Sequence, residues 1–176
     1  MRRKEIASAI ENIGIVPAVR VSSADDAHFA AEAVAGGGIP IVEITMTVPG
    51  AMDVIAHLVK HHPKLIVGAG TVLDLETARH CADAGAHFLT APGFDCDIVT
   101  FAAEHDMVSM PGALTPTEVV TAWRAGADIG VPCVEGAKPR RALQVVTAGR
   151  LQVLLPPVAG DRHLHDLGRA FVDRGD

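Results

Sequence analysis

The sequence predicts an α/β fold, a TIM-type (β/α)8 barrel that stops at about seven strands. Three observations predict it. Short runs rich in Val and Ile alternate with amphipathic segments from one end of the chain to the other. These runs, roughly four to seven residues long, suit parallel strands covered on both faces. Successive runs start about 19 to 27 residues apart, close to the minimum for a strand–helix unit. Strict alternation makes the sheet parallel. The short, glycine-terminated units favour a barrel over an open sheet, although ordinary barrels run to about 250 residues.

Taken in order, the strands are read at Gly14–Arg20, Pro40–Thr45, Leu65–Ala69, His87–Thr90, Met107–Met110, Asp128–Val131 and Leu151–Leu155. The helices between them are read at Ala24–Ala35, Ala51–His62, Leu75–Ala84, Asp97–His105, Pro116–Arg124 and Ala137–Thr147. Ser23, Asp74 and Thr115 stand where N-caps belong, each with an acidic residue in the following turn. Gly36–Gly38 and Gly85 are C-terminal stops. Asp176 falls where one more strand would begin. No linker or charge block interrupts the order, so residues 1–176 are read as one domain.

Composition narrows the function. With 176 residues and 49% hydrophobic content, the chain can bury a core without staples and is not disordered. A net charge of -6 argues against non-specific nucleic-acid binding. Five Phe, one Trp and no Tyr make a poor base-stacking platform. Cys81, Cys96 and Cys133 form no CxxC pair and are read as reduced thiols. The N-terminus has charge but no apolar core of a signal peptide, and no run suggests a membrane span. The expectation is a soluble, cytoplasmic protein.

Barrel chemistry gathers at the C-terminal ends of strands. Six such ends are Arg20, Glu43–Thr45, Gly68–Thr71, Thr90–Gly93, Pro111-Gly112 and Pro132-Cys133. Four carry Gly or Pro, which lets backbone N–H groups approach a small anion. Glu43 interrupts an otherwise apolar strand, IPIVEITM. A buried carboxylate must be paired or have a raised pKa. Two readings stay open: an ion pair with Arg20, or a general base with a pKa close to working pH. Arg20 can bind a carboxylate bidentately or neutralise Glu43. His61-His62 sits at a helix end, and His163 and His165 are two apart and so on different helix faces; no HxxxH or HExxH spacing is read, and no metal site is supported. Val67–Gly70 lacks the helix and acidic residue of a dinucleotide site. No metal and no nucleotide cofactor is expected.

GIVPAVR, GGIPIVEITMTVPGA, IVGAGTVL, FLTAPGFD and MPGALTPTEVVTAWRAGAD occur in that order. Together they resemble the 2-keto-3-deoxy-6-phosphogluconate/4-hydroxy-2-oxoglutarate aldolases over roughly Ile13 to Asp128. The resemblance implies a metal-free class I aldolase, usually trimeric. It would split a 2-keto-4-hydroxy acid into pyruvate and an aldehyde through a lysine imine. By motif position, Glu43 resembles the acid/base. Thr71, Pro92, Gly93, Pro111 and Gly112 resemble the pocket for pyruvate's carboxylate, and Arg20 resembles an arginine for anionic groups. An incomplete barrel has an open edge, so a homo-oligomer is the expected partner state.

From about residue 129 the likeness breaks. The family pattern D-x-x-K-x-F-P meets Asp128-Ile-Gly-Val-Pro132-Cys133 here, without the lysine. Lys138, in GAKPRRAL, matches a helix start in the family and is a weak substitute. Pro156-Pro157-Val158-Ala159 stands where relatives have Pro-Thr-Gly-Gly, a difference that a one-nucleotide shift of the codons produces. Small indels over about Gly130 to Leu167 would account for both departures; resequencing the coding DNA tests this. The readings from the residues are therefore an aldolase by descent, a keto-acid binder without cleavage, or a metal-assisted enolising lyase.

Overall fold

The computed structural model describes residues 1–132, 144–148 and 151–155. In chain order the elements are α1 (Arg3–Ile13), β1 (Val16–Val19), α2 (Ala24–Gly36), β2 (Ile41–Thr45) and α3 (Ala51–His61). Then come β3 (Ile66–Gly70), α4 (Leu75–Asp83), β4 (Phe88–Ala91), α5 (Cys96–Glu104), β5 (Val108–Ala113) and α6 (Pro116–Ala125). The chain continues through β6 (Val131–Pro132), β7 (Gln144–Ala148) and β8 (Leu151–Leu155). Strands β1 to β6 are parallel and lie side by side in sequence order. The sheet curls until its two edge strands, β6 and β7, come into contact. This is the TIM-type fold.

Local chemistry explains the helix boundaries. Ser23 accepts from the Asp26 N–H, Asp74 from that of Thr77, and Thr115 from that of Glu118. Each satisfies an otherwise orphaned donor of a first turn. Asp95 caps α5 in the same way. Gly85, at φ +86°, lets the chain leave α4 and turn into β4. Helix α1 is an element beyond those expected from the sequence. Its Ile6 and Ile10 are buried against Val16, Ile41, Ile66, Phe88 and Val108, closing the N-terminal end of the barrel. Arg3 of α1 donates from Nε to both carboxylate oxygens of Asp128, at 2.9 and 3.0 Å.

Strand side chains alternate between the barrel interior and the helix layer. Val42 and Ile44, Val67 and Ala69, and Leu89 face outward and pack against apolar residues of α2 to α5. Full burial of such side chains is worth about 1.5–3 kcal/mol each. Ile41, Glu43 and Thr45 therefore point inward on β2, and Phe88 and Thr90 on β4.

The last strands depart from the expected pattern. Gln144–Ala148 is a strand, not the end of a helix over Ala137–Thr147, and it pairs antiparallel with β8. Strand β8 in turn runs antiparallel to β1 instead of closing the barrel in parallel. Six parallel strands and a hairpin thus replace seven parallel strands. The cause is local: Val145, Val146 and Thr147 are β-branched, which favours a strand over a helix. No helix among the described residues is long and apolar enough to cross a membrane.

Candidate active site

Glu43 lies inside the barrel, 4% exposed, with Ala18 of β1 and Gly68 of β3 as its ladder neighbours. Its carboxyl occupies the space above Gly70, where any Cβ would overlap Oε1. Phe88 fills the space above Gly68 in the same manner, its ring lying where a Cβ would project. The two inward glycines of β3 therefore serve side chains that reach over from both flanking strands.

Burial pushes the Glu43 carboxyl up to about 7; the Thr90 hydroxyl and the Arg20 charge offset part of that rise. Glu43 Oε2 meets no hydrogen-bond partner of good geometry, nor does the Thr90 hydroxyl oxygen. Desolvation thus outweighs the polar contacts and leaves a carboxyl poised to exchange a proton near neutrality.

Arg20 sits just past β1 with its side chain exposed. Among the described residues the ion pairs are Arg2–Glu5, Arg3–Asp128 and His62–Glu32, so the Arg20–Glu43 pair does not form. Arg20 Nη2 instead donates to Thr71 Oγ1 across a long 3.4 Å. Thr71 follows the end of β3 with φ +62°, a left-handed conformation that a β-branched residue rarely adopts. Strain of this kind concentrates at functional sites. Thr45, also inward, donates to the Val19 carbonyl at 3.1 Å and so joins the ends of β1 and β2.

The other sequence-predicted residues spread over two faces. Gly93 and Pro111 line a small cavity with Leu89, Ala91, Ile98 and Val99, on the α5 side of β4 and β5. Pro92 is exposed in the turn after β4. Gly112 alternates with Pro111 and lies on the interior side, paired with Val131 of β6. Lys138 lies outside the described residues. The three lysines within them, Lys4, Lys60 and Lys64, are all exposed and stand on α1, at the end of α3 and before β3. That is the end of the barrel opposite Thr45 and Thr71. Residues 128–132 contain no lysine.

Thr90 opens one of the strand ends named from the sequence but had no role of its own there; as a polar residue inside the apolar strand Phe-Leu-Thr-Ala it carried a separate signal. His57 and His61 stand four apart on α3, so the HxxxH spacing expected to be absent does occur. Their rings lie 4.1 Å apart between centroids, and His28 of α2 meets His57 at 4.6 Å. Among the described residues no three His, Cys, Asp or Glu side chains are placed to hold a metal ion.

Residues 6–130 match the family described as KDPG and KHG aldolase. The 2-dehydro-3-deoxy-phosphogluconate aldolase of Treponema pallidum is 32% identical over 124 residues, 70% of this chain and 59% of that protein. The KHG/KDPG aldolase of Escherichia coli K12 is 31% identical over 151 residues, 83% of this chain and 69% of that protein. The crystal structure of the 2-keto-3-deoxy-6-phospho-gluconate aldolase of Zymomonas mobilis superimposes with a TM-score of 0.65 at 27% identity. That superposition covers 72% of this chain and 62% of the other. This chain therefore spans about six-tenths of the length of the relatives it first matches. Sequence over residues 6–130 and the curled parallel sheet around a buried glutamate agree, and the chain belongs to the KDPG and KHG aldolase family.

Proposed function

We propose that the chain is an aldehyde-lyase of the class I aldolase type, binding a 2-keto acid at the barrel mouth, with Glu43 as its acid/base. The observation that carries this reading is the buried Glu43 carboxyl, poised near neutrality beside the ends of β1, β3 and β4. In the forward reaction a lysine amine forms an imine with the keto carbon. The C3–C4 bond then breaks with its electrons flowing into the iminium, while the C4 hydroxyl passes its proton to Glu43. Glu43 returns that proton to C3 of the enamine, and hydrolysis releases pyruvate. Arg20 and Thr71 would hold the carboxylate of the keto acid. Pro92, Gly93, Pro111 and Gly112 belong to the same proposal as pocket-wall residues, Gly112 from the interior side. The substrates proposed are 2-keto-3-deoxy-6-phosphogluconate or 4-hydroxy-2-oxoglutarate, with the protein acting without metal in the cytoplasm.

The amine decides between cleavage and binding. Lys4, Lys60 and Lys64 stand at the wrong end of the barrel, so an imine can form only on Lys138. The lack of a lysine at residues 128–132 favours a second reading, a keto-acid binder that enolises or merely holds its ligand. Borohydride trapping with pyruvate, read by intact mass and peptide mapping, separates the two. A reduced adduct on Lys138 supports the aldolase. No adduct, with deuterium still exchanging into the pyruvate methyl group, supports enolisation without the imine. Neither adduct nor exchange sinks the catalytic reading.

The proposal includes a homo-oligomer, by resemblance a trimer. Leu114, Val120 and Trp123 on and beside α6 are exposed apolar side chains, which supports a covered face in an assembly. Sedimentation at micromolar concentration tests this; a monomer there overturns it.

A further inference from the structure

We propose that Thr90 is a positioning residue for Glu43, its hydroxyl donating to the carboxylate across the top of β3 and aiming it into the barrel mouth. This inference deepens the acid/base reading of Glu43 and rests on it. The sheet order puts β3 between β2 and β4. Glu43 starts on β2, and its carboxyl fills the space that a side chain on Gly70 would take. Because β3 offers no side chain there, the next inward group the carboxyl meets is on β4. Phe88 covers Gly68 from β4, so the inward position after it, Thr90, is the one that faces the carboxyl.

The unsatisfied groups match. Thr90 is 8% exposed and its Oγ1 is buried without a hydrogen bond; Glu43 Oε2 is buried without one as well. An unpaired buried polar group is costly, and two beside each other are complementary, one a donor and one an acceptor. A small rotation of either side chain joins them. No competing partner holds Thr90 Oγ1, whereas Thr45, the other inward threonine, already donates to Val19. The hydroxyl would also accept the proton of the neutral acid, so it serves both states of a carboxyl that takes up and returns a proton. Its preference for the ionised form opposes the effect of burial.

The test compares Thr90→Val with Thr90→Ser in the full chain. Carbon-13 NMR of the Glu43 carboxyl reports its titration directly, without relying on turnover. Thr90→Val, which keeps the shape and removes the donor, is expected to move that titration upward by about one pH unit. The pH profile of deuterium exchange into pyruvate should move with it, with roughly fivefold less exchange at pH 7. Thr90→Ser should restore both. An unchanged Glu43 titration in the folded Thr90→Val variant overturns the Thr90 role while leaving the acid/base reading intact. A shifted titration in a protein whose wild type exchanges no deuterium keeps the Thr90–Glu43 link and removes the catalytic reading.

Discussion

Glu43 and Gly70 share one space: the carboxyl of the first lies where a side chain of the second would be. The relationship is between neighbouring strands and sets the direction in which Glu43 points. Gly70→Ala must therefore displace the carboxyl or the strand. Its expected effect is loss of keto-acid proton exchange by at least about a hundredfold, the usual consequence of misplacing a catalytic group by an ångström. Thermal unfolding should report a cost of about 1–3 kcal/mol for the overpacked interior. Full exchange activity in Gly70→Ala would show that the glutamate is held some other way.

The same carboxyl ties stability to pH. Its pKa is raised from an ordinary 4.5 to about 7, with burial as the main cause. Between these values the folded state binds more protons than the unfolded chain. Stability from this group is thus fully present below about 4.5, falls as pH rises through 7, and levels off above. Glu43→Gln removes that dependence. Relative to wild type it should gain stability as pH rises from 5 to 8, by about 2–3 kcal/mol at the upper end. Melting temperature against pH for both proteins checks this; parallel curves would mean that Glu43 titrates normally.

Thr71 combines a positive φ with the hydrogen bond from Arg20. Thr71→Gly should relieve backbone strain of about 1–3 kcal/mol, less the extra entropy of an unfolded glycine. The same change removes the hydroxyl at the barrel mouth and should weaken pyruvate binding several-fold. Calorimetric titration and melting temperature together read the two effects. A variant that loses stability and binds unchanged would make Thr71 a structural residue.

Acid sensitivity is expected at the α2–α3 groove. His57 is held below the ordinary histidine range, first by desolvation and then by the charges of His61, His28 and His62, with Glu32 opposing. A folded-state pKa below the unfolded one means that the unfolded chain takes up protons first. Stability from this group is lost as pH falls through about 6.5. His57→Gln should flatten that loss between pH 7 and 5. An identical acid limb in variant and wild type would place the sensitivity elsewhere.

Asp128 anchors the start of β6. It accepts from Arg3 Nε and from the Ser109 N–H at 2.9 Å, joining α1, β5 and the turn before β6. Asp128→Ala leaves both donors part-buried and unmatched, so unfolding should be easier by about 1–3 kcal/mol. Asp128→Asn, which can keep one acceptor, should cost less. Chemical denaturation of the pair gives the comparison.

Much of the fold was legible because its signals are local. Ser23, Asp74 and Thr115 cap the helices they were assigned to, and the apolar runs at Ile41–Thr45 and Ile66–Gly70 are strands. Helix α1 and the antiparallel pairing of β7 with β8 were not read, although Ile6 with Ile10 and the β-branched run Val145–Thr147 carried their signals. Within the candidate site, Glu43 was legible as a charge in an apolar strand. Its release from an ion pair with Arg20 was not, because strand order does not fix the distance between two side chains.

By itself the sequence determined the alternation of strands and helices, the caps that bound them, and the one carboxylate that burial had to perturb. Only the tertiary structure decided that Gly70 yields its space to Glu43, that Thr90 faces the carboxyl from the far side of β3, and that His28 meets His57. The physical reason is range. Propensity, capping and periodicity act over a few residues and are written in order along the chain. Close approach across a curved sheet depends on register, on tilt and on which side chain is missing from the strand between.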